Sequence, residues 1–379
     1  MRIRFIVSKK RLLTLAAAIA LSLLLSLPSA AFASGNGQAG GFYQQTNLVS
    51  DQPNVAPVTD PNLVNPWGLS ASATSPWWVS DNGPGLSTLY NGQGQIVPLV
   101  VTVPTPMQSP AGTTSTPTGT VFNGSTGFVV SQNGVSGPAA FLFDTEDGTI
   151  SGWNPTVNRG NAILMVDRSK VGKGAVYKGL AIATNANGTF LYATNFRSGK
   201  VEMFDANFQL VRSFTDPVSA LTCRFLRQCF APFGIQTIGD QIYVTFALQD
   251  AHKAGDVAGF GHGFVDVFST DGKFQRRLVT GGFLNSPWGL ALAPANFGKF
   301  SNDLLVGNFG DGRINVYSPK TGAFLGQIQS SKGHAIVIDG LWAIAFGNGA
   351  TAGPTNQLYF TAGTDGESHG LLGFIASVS

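Results

Sequence analysis

Short apolar runs of four to seven residues, many alternating with polar positions and almost all bounded by glycine, proline or asparagine, recur along the chain from about residue 43 to its end. That pattern predicts strands joined by tight turns. The runs are also grouped. A phrase of the same shape returns six times at a spacing near 55 residues, as Pro66-Trp67-Gly68-Leu69, Pro117-Thr118-Gly119-Thr120, Tyr177-Lys178-Gly179-Leu180, Pro232-Phe233-Gly234-Ile235, Pro287-Trp288-Gly289-Leu290 and Leu341-Trp342-Ala343-Ile344. Each phrase is followed by a second run ending near Asp81, Asp144, Asn195, Phe246, Asn308 or Ala362. A third run then follows a turn glycine at Gly85, Gly148, Gly199, Gly263, Gly312 or Gly370. One supersecondary unit repeated six times predicts an all-β chain folded as a six-bladed β-propeller.

Fourth strands are expected at Ile96–Val101, Ile163–Val166, Leu210–Phe214, Phe274–Val279 and Phe324–Ile328. The sixth unit runs out of chain after its third strand, so its outer strand is expected from the N-terminal side, near Tyr43–Val49, closing the last blade and removing an open sheet edge. The phrase glycine has a steric reason: inner strands crowd around the axis, where a side chain would meet the neighbouring backbone. Trp67, Phe233, Trp288 and Trp342, just before it, are read as packing between blades in preference to a ligand-stacking ring.

The first 33 residues stand outside the repeat. Arg2, Arg4, Lys9, Lys10 and Arg11 precede an apolar run from Leu12 to Leu27, and Ala31-Phe32-Ala33 offers a small-x-small cleavage site. This is the pattern of a secretory signal peptide, and the run is short for a spanning helix, so no transmembrane segment is expected after cleavage. Residues 34–379 then form a single propeller domain in the periplasm or outside the cell. The leader holds 5 of the 23 Lys and Arg and no acid, which leaves 18 basic against 20 acidic residues. A nearly neutral mature chain gives no support to a nucleic-acid or anionic-membrane partner. With 43% hydrophobic and only 11% charged residues, the chain suits a compact monomer of mostly buried strands. Cys223 and Cys229 are expected to pair in an oxidising compartment; the alternative, a zinc site, needs further soft ligands, and none stands nearby in sequence.

Chemistry is expected on the face that carries the connections between blades and the turns between second and third strands, called the upper face below. Asp81, Asp144, Asn195 and Asn308 occupy one equivalent position there and are candidate ligand-binding residues if they point to the axis; Asp and Asn at such points also commonly bond to the following turn. All four histidines map to this face: His252 and His262 in the long turn of blade 4, His334 in the connection leading to blade 6, and His369 in the blade 6 turn. Asp250, Asp256, Asp339, Asp365 and Glu367 accompany them. His252, His262, His369, Asp365 and Glu367 are therefore candidate catalytic residues, as ligands of a divalent metal such as calcium or zinc or as a general base. Insertions at Pro104–Pro117, Asn123–Gly137, Ala220–Phe230 and Gln249–His262 supply long loops, the first read as a solvated, mobile connector. No nucleophile elbow, phosphate loop or helical two-His zinc motif occurs.

The phrases Asn65-Pro66-Trp67-Gly68-Leu69, Thr145-Glu146-Asp147-Gly148-Thr149-Ile150-Ser151-Gly152-Trp153-Asn154-Pro155, Asn285-Ser286-Pro287-Trp288-Gly289-Leu290-Ala291-Leu292-Ala293-Pro294 and Gly307-Asn308-Phe309-Gly310-Asp311-Gly312-Arg313-Ile314-Asn315 resemble a family of secreted bacterial propellers, itself similar to NHL-type six-bladed propellers. The resemblance implies the fold and no particular activity. Three functions fit it: a binding module whose upper-face loops take a small molecule, glycan or protein, which is preferred; a metal-dependent lyase or hydrolase of the kind seen in peptide-amidating lyase, streptogramin lyase and gluconolactonases; and a structural envelope component.

Overall fold

Each phrase begins an inner strand, and the turn glycines reverse the chain into hairpins: Gly85, Gly148, Gly199 and Gly312 all sit at φ between +68 and +83°, a region that disfavours any side chain. The computed structural model describes residues 41–218, 223 and 228–378, so the leader segment lies outside the described residues. Blade 1 consists of strands Pro66–Ser70, Trp77–Asp81, Leu86–Tyr90 and Ile96–Thr102. Blades 2 to 5 repeat the order from inner strands Pro117–Phe122, Tyr177–Asn185, Phe230–Ile238 and Pro287–Leu292 to outer strands Ile163–Asp167, Leu210–Phe214, Phe274–Thr280 and Phe324–Gln327. Blade 6 has Leu341–Phe346, Gln357–Ala362 and Leu371–Val378. Against the last of these, Phe42–Ser50 pairs antiparallel, from Phe42 opposite Val378 to Ser50 opposite Leu371. Val58–Thr59 adds a short parallel strand outside it.

Burial follows the blade geometry. Among the described residues six apolar clusters are each shared by two adjacent blades, from Trp78, Phe141 and Trp153 between blades 1 and 2 round to Val49, Val79 and Tyr359 between blades 6 and 1. A seventh lies on the axis and takes residues from several blades: Trp67, Phe233, Trp288 and Trp342. No single blade could bury both its faces, so each depends on its neighbours and the ring is the folding unit.

The inner-strand glycines behave as the steric argument requires. A Cβ on Gly289 would stand 2.7 Å from the carbonyl oxygen of Trp342, and one on Gly179 3.2 Å from that of Phe233. For Gly68, Gly119 and Gly234 it would fall closer still to the backbone of the next inner strand. Side-chain hydroxyls tie the same seam: Thr194 Oγ1 donates to Phe233 O (2.8 Å), and Thr361 Oγ1 to Trp67 O (2.6 Å).

Two insertions differ from expectation. Asn123–Gly137 contains a hairpin, Val129–Gln132 with Val135–Pro138, pinned by the buried side chains of Phe128 and Val130 in the core between blades 2 and 3. Pro104–Pro117, read as mobile, is tied to its surroundings: the amides of Met107 and Thr116 donate to Asp167 Oδ2 and Asp147 Oδ2, each at 2.8 Å. Cys223 and Cys229 form a disulfide. Among the described residues no helix is long and apolar enough to cross a membrane.

Candidate functional site

The second residue of each phrase determines what fills the axis. Trp67 and Trp342 stack at 3.5 Å between ring centroids; Trp288 meets both edge-on at 6.3 and 5.8 Å; Phe233 lies 5.8 Å from Trp342, and Phe309 stacks on Trp342 at 4.0 Å. These aromatics pack across the axis, where the sequence reading had placed them between blades. They form a plug. Blade 3 puts Lys178 in the same column, 4% exposed, with its ammonium 5.0 Å from the Trp67 ring centroid. A cation over an indole face is favoured by the ring quadrupole, though far less than its lost hydration costs.

Carboxylates on the upper face supply the difference. Lys178 Nζ bonds to Glu146 Oε1, from the blade 2 turn. Glu146 Oε2 accepts from Asn82 Nδ2 at 3.2 Å. Asn65 Nδ2 donates to Asn82 Oδ1 at 3.3 Å and to Glu367 Oε2, from the blade 6 turn, at 2.8 Å. Trp342 Nε1 donates to Asn65 Oδ1 at 3.2 Å, which joins the polar chain to the plug beneath. The chain Glu367–Asn65–Asn82–Glu146–Lys178 thus draws on blades 6, 1, 2 and 3. Asp256, from the long blade 4 turn, completes the arc electrostatically. Burial raises the Asp256 and Glu367 carboxyls above their ordinary range, and the Lys178 charge opposes the rise in both. With all three carboxylates ionised the site carries two negative charges in excess of its one ammonium.

The residues singled out from the sequence are spread more widely. Glu367 belongs to the axial chain. His369 Nδ1 lies 2.7 Å from Asp51 Oδ2, and the Gly370 amide donates to Asp51 Oδ1 at 2.8 Å, so an aspartate from the N-terminal side fixes this imidazole at the blade 6 turn. His262 Nδ1 lies 2.8 Å from Val257 O, within its own loop. His252 is exposed and lines a rim cavity with basic residues. His334 is exposed in the connection between blades 5 and 6, its carbonyl taken by the Ser330 amide at 2.9 Å. Asp365 is exposed, its amide donating to Asp339 Oδ2 at 2.8 Å. Among the described residues no group of three or more His, Cys, Asp or Glu is arranged to hold a metal ion, so the donor set expected for calcium or zinc is not assembled.

Asp81, Asp144, Asn195 and Asn308 are buried, and each is bonded within its own blade or the adjoining connection. Asp81 Oδ2 accepts from the Thr88 amide (3.0 Å) and hydroxyl (2.8 Å). Asp144 Oδ1 accepts from the Gly119 amide (2.6 Å) and Thr118 Oγ1 (2.8 Å), and burial pushes its carboxyl up to about 7. Asn195 Nδ2 donates to Glu202 Oε1 (3.0 Å), and Asn308 Nδ2 to Phe283 O (2.8 Å). Through these bonds they knit strands and connections together.

Asn65, Asn82, Glu146 and Lys178 were not among the sequence candidates. A signal existed for Lys178, the one charged residue in a column otherwise aromatic or Thr. Below the plug the inner strands of all six blades line a funnel of about 510 Å³, with Ser70, Thr120, Gln236, Thr237 and Asn348 among its polar residues and no charged one.

Fold and site define a six-bladed β-propeller whose plugged axis carries a charged polar arc on its upper face. No family model matches the chain. It is 32% identical over 329 residues to the Uncharacterized protein R648 of Acanthamoeba polyphaga mimivirus, covering 86% of this chain and 78% of that protein. To the Uncharacterized protein L690 of the same virus it is 30% identical over 347 residues, covering 89% and 87%. The chain belongs to the family of these proteins. Similar solved structures include virginiamycin B lyase from Staphylococcus aureus, at 11% identity and TM-score 0.48 over 88% of this chain and 98% of that one. A glucose dehydrogenase matches at 12% and 0.49 over 87% and 98%. Neither likeness bears on chemistry at such identity.

Proposed function

We propose that the protein is an exported binding module that recognises a small, amine-bearing or hydroxyl-rich molecule at the upper end of its axis. The observation that carries this reading is the polar arc itself: a buried lysine and three carboxylates supplied by blades 2, 3, 4 and 6, with two asparagines between them. Charges taken from so many blades cost the fold desolvation, and their surplus is negative. A ligand with ammonium or clustered hydroxyl groups supplies the donors that such a surplus accepts. Export rests on the N-terminal charge and hydropathy pattern together with the disulfide, and is consistent with the resemblance to secreted bacterial propellers. The test is calorimetric titration of the purified protein with glucosamine, glucose and a polyamine, repeated with Glu367→Gln. Binding weakened about tenfold in the variant is the expected result; no saturable binding by any of the three overturns the reading.

One observation favours a second reading, a lyase or hydrolase: an imidazole oriented by a carboxylate, as His369 is by Asp51 at 2.7 Å, is the arrangement a general base requires. Turnover of a lactone or ester panel that is lost in both His369→Gln and Asp51→Asn would support it, and turnover unaffected by either would remove it.

A further inference from the structure

His252 sits apart from the carboxylates it was expected to join. It lines a cavity of about 660 Å³ on the upper rim together with Arg168, Lys173, Arg197, Lys253 and Glu202. Three loops build this wall: the connection between blades 2 and 3, the blade 3 turn, and the long blade 4 turn. The geometry points to a second binding site, for a small molecule bearing two or more anionic groups, phosphate or carboxylate.

The charge count favours that class. Four cations face one carboxylate, and that carboxylate is already used: Glu202 is held by Arg168 Nε at 3.0 Å, by the Tyr177 hydroxyl at 2.6 Å and by Asn195 Nδ2 at 3.0 Å. Glu202 therefore serves as the buried anchor that fixes Arg168 in the cavity wall. Arg197 Nη1 donates to Lys173 O at 2.8 Å, which ties the blade 3 turn to the neighbouring connection. Asp250, in the blade 4 loop beside His252, is committed to its own loop, accepting the Ala254 amide at 3.0 Å. Three cations beyond the paired one remain along a single concave wall, on a chain whose residues beyond the leader are acidic in balance. Cations held this close repel one another in the absence of an anion, so the wall is arranged to gain from one. The ring of His252 adds an N–H donor to the same wall.

The probes are pyrophosphate for the phosphate class and citrate for the carboxylate class, with sucrose as the uncharged control, titrated by calorimetry at low salt. Saturable binding with a Kd of about 1 mM or tighter is expected for at least one anion, weakening as salt is added. The Lys173→Gln/Lys253→Gln variant, altered only at exposed side chains, should lose about tenfold in affinity, whereas Lys320→Gln/Lys332→Gln, equally exposed but on the connections around blade 5, should not. Binding of pyrophosphate alone or of citrate alone assigns the class. Absence of binding by both, binding of sucrose, or equal losses in the two variants overturns the proposal. The axial site's glucosamine titration in the Lys173→Gln/Lys253→Gln variant is expected to be unchanged, so the two sites fail or stand separately.

Discussion

Replacing Trp342 by alanine tests whether the axis is held by the aromatic plug. The indole is 1% exposed and touches Trp67, Phe309, Phe233 and Trp288 at centroid distances of 3.5, 4.0, 5.8 and 5.8 Å. Truncating a buried aromatic to alanine costs about 3–5 kcal/mol, and four ring partners place Trp342 at the upper end, since aromatic pairs add about 0.5–1.5 kcal/mol each beyond their area. Removal also strands Asn65 Oδ1, which accepts the indole N–H at 3.2 Å. Urea unfolding should therefore show an unfolding free energy lower by about 4–5 kcal/mol, read as a lower midpoint at unchanged slope, against about 1 kcal/mol for Phe283→Ala, whose ring is 45% exposed. Free indole should restore part of the loss by occupying the gap, about 1.4 kcal/mol at ten times its Kd. A cost below about 1 kcal/mol, or one equal to that of Phe283→Ala, would refute the idea that packing across the axis holds the ring.

Gly234→Ala sets a Cβ against the Trp288 backbone, where neither strand can retreat without disturbing its own sheet; thermal unfolding should show a loss of at least about 3 kcal/mol, while Ala343→Gly in the one inner strand that lacks the glycine should lose less than about 1 kcal/mol. Equal effects of the two changes would count against the crowding argument. Asp144 is raised from 3.8 to about 7 by burial, so the native state binds the proton more tightly than the unfolded chain, and the stability it contributes is present below about pH 4 and lost as pH rises through about 7. Asp144→Asn should remove that part of the pH slope, up to about 4 kcal/mol across the window; a slope identical to the parent protein's in denaturation runs at pH 4 through 8 would show that Asp144 is not the titrating group.

The blade count was legible because inner-strand crowding and turn geometry both demand glycine, and because second and third strands are short, turn-bounded runs buried along nearly their whole length, as at Trp77–Asp81 and Leu86–Tyr90. The Asn123–Gly137 hairpin was not, since its strands are mostly exposed and only Phe128 and Val130 anchor it. At the site the rarity of histidine drew the reading outward to loops, where three of the four rings lie in different surroundings and only His369 gains a carboxylate partner. Asn65 and Glu146 stand inside the phrases that carry the family resemblance, yet Asn, Glu and Lys are ordinary surface residues until a fold buries them. What converts them into a site is the axial convergence of segments 300 residues apart, as between Asn65 and Glu367, and no local spacing encodes that.

The plug and the charge above it are consequences of one column. Trp67, Phe233, Trp288 and Trp342 exclude water from the axis; Lys178, by standing in their register, brings an ammonium to the edge of the same dry volume. In such surroundings each charge interacts more strongly with its neighbours than on an open surface. Glu146 pairs with Lys178, and burial in the same dry volume drives the Glu367 and Asp256 carboxyls upward while the Lys178 charge opposes the rise. On the proposed function, a ligand donor arriving from above would relieve that burial penalty. The plug also separates this arc from the uncharged funnel below, so the two ends of the axis present opposite chemistries on one scaffold. Stability and charge therefore meet in the residue before the inner-strand glycine, or before Ala343 in blade 6: an aromatic there holds the ring, and the cation of blade 3 sets the field at its mouth.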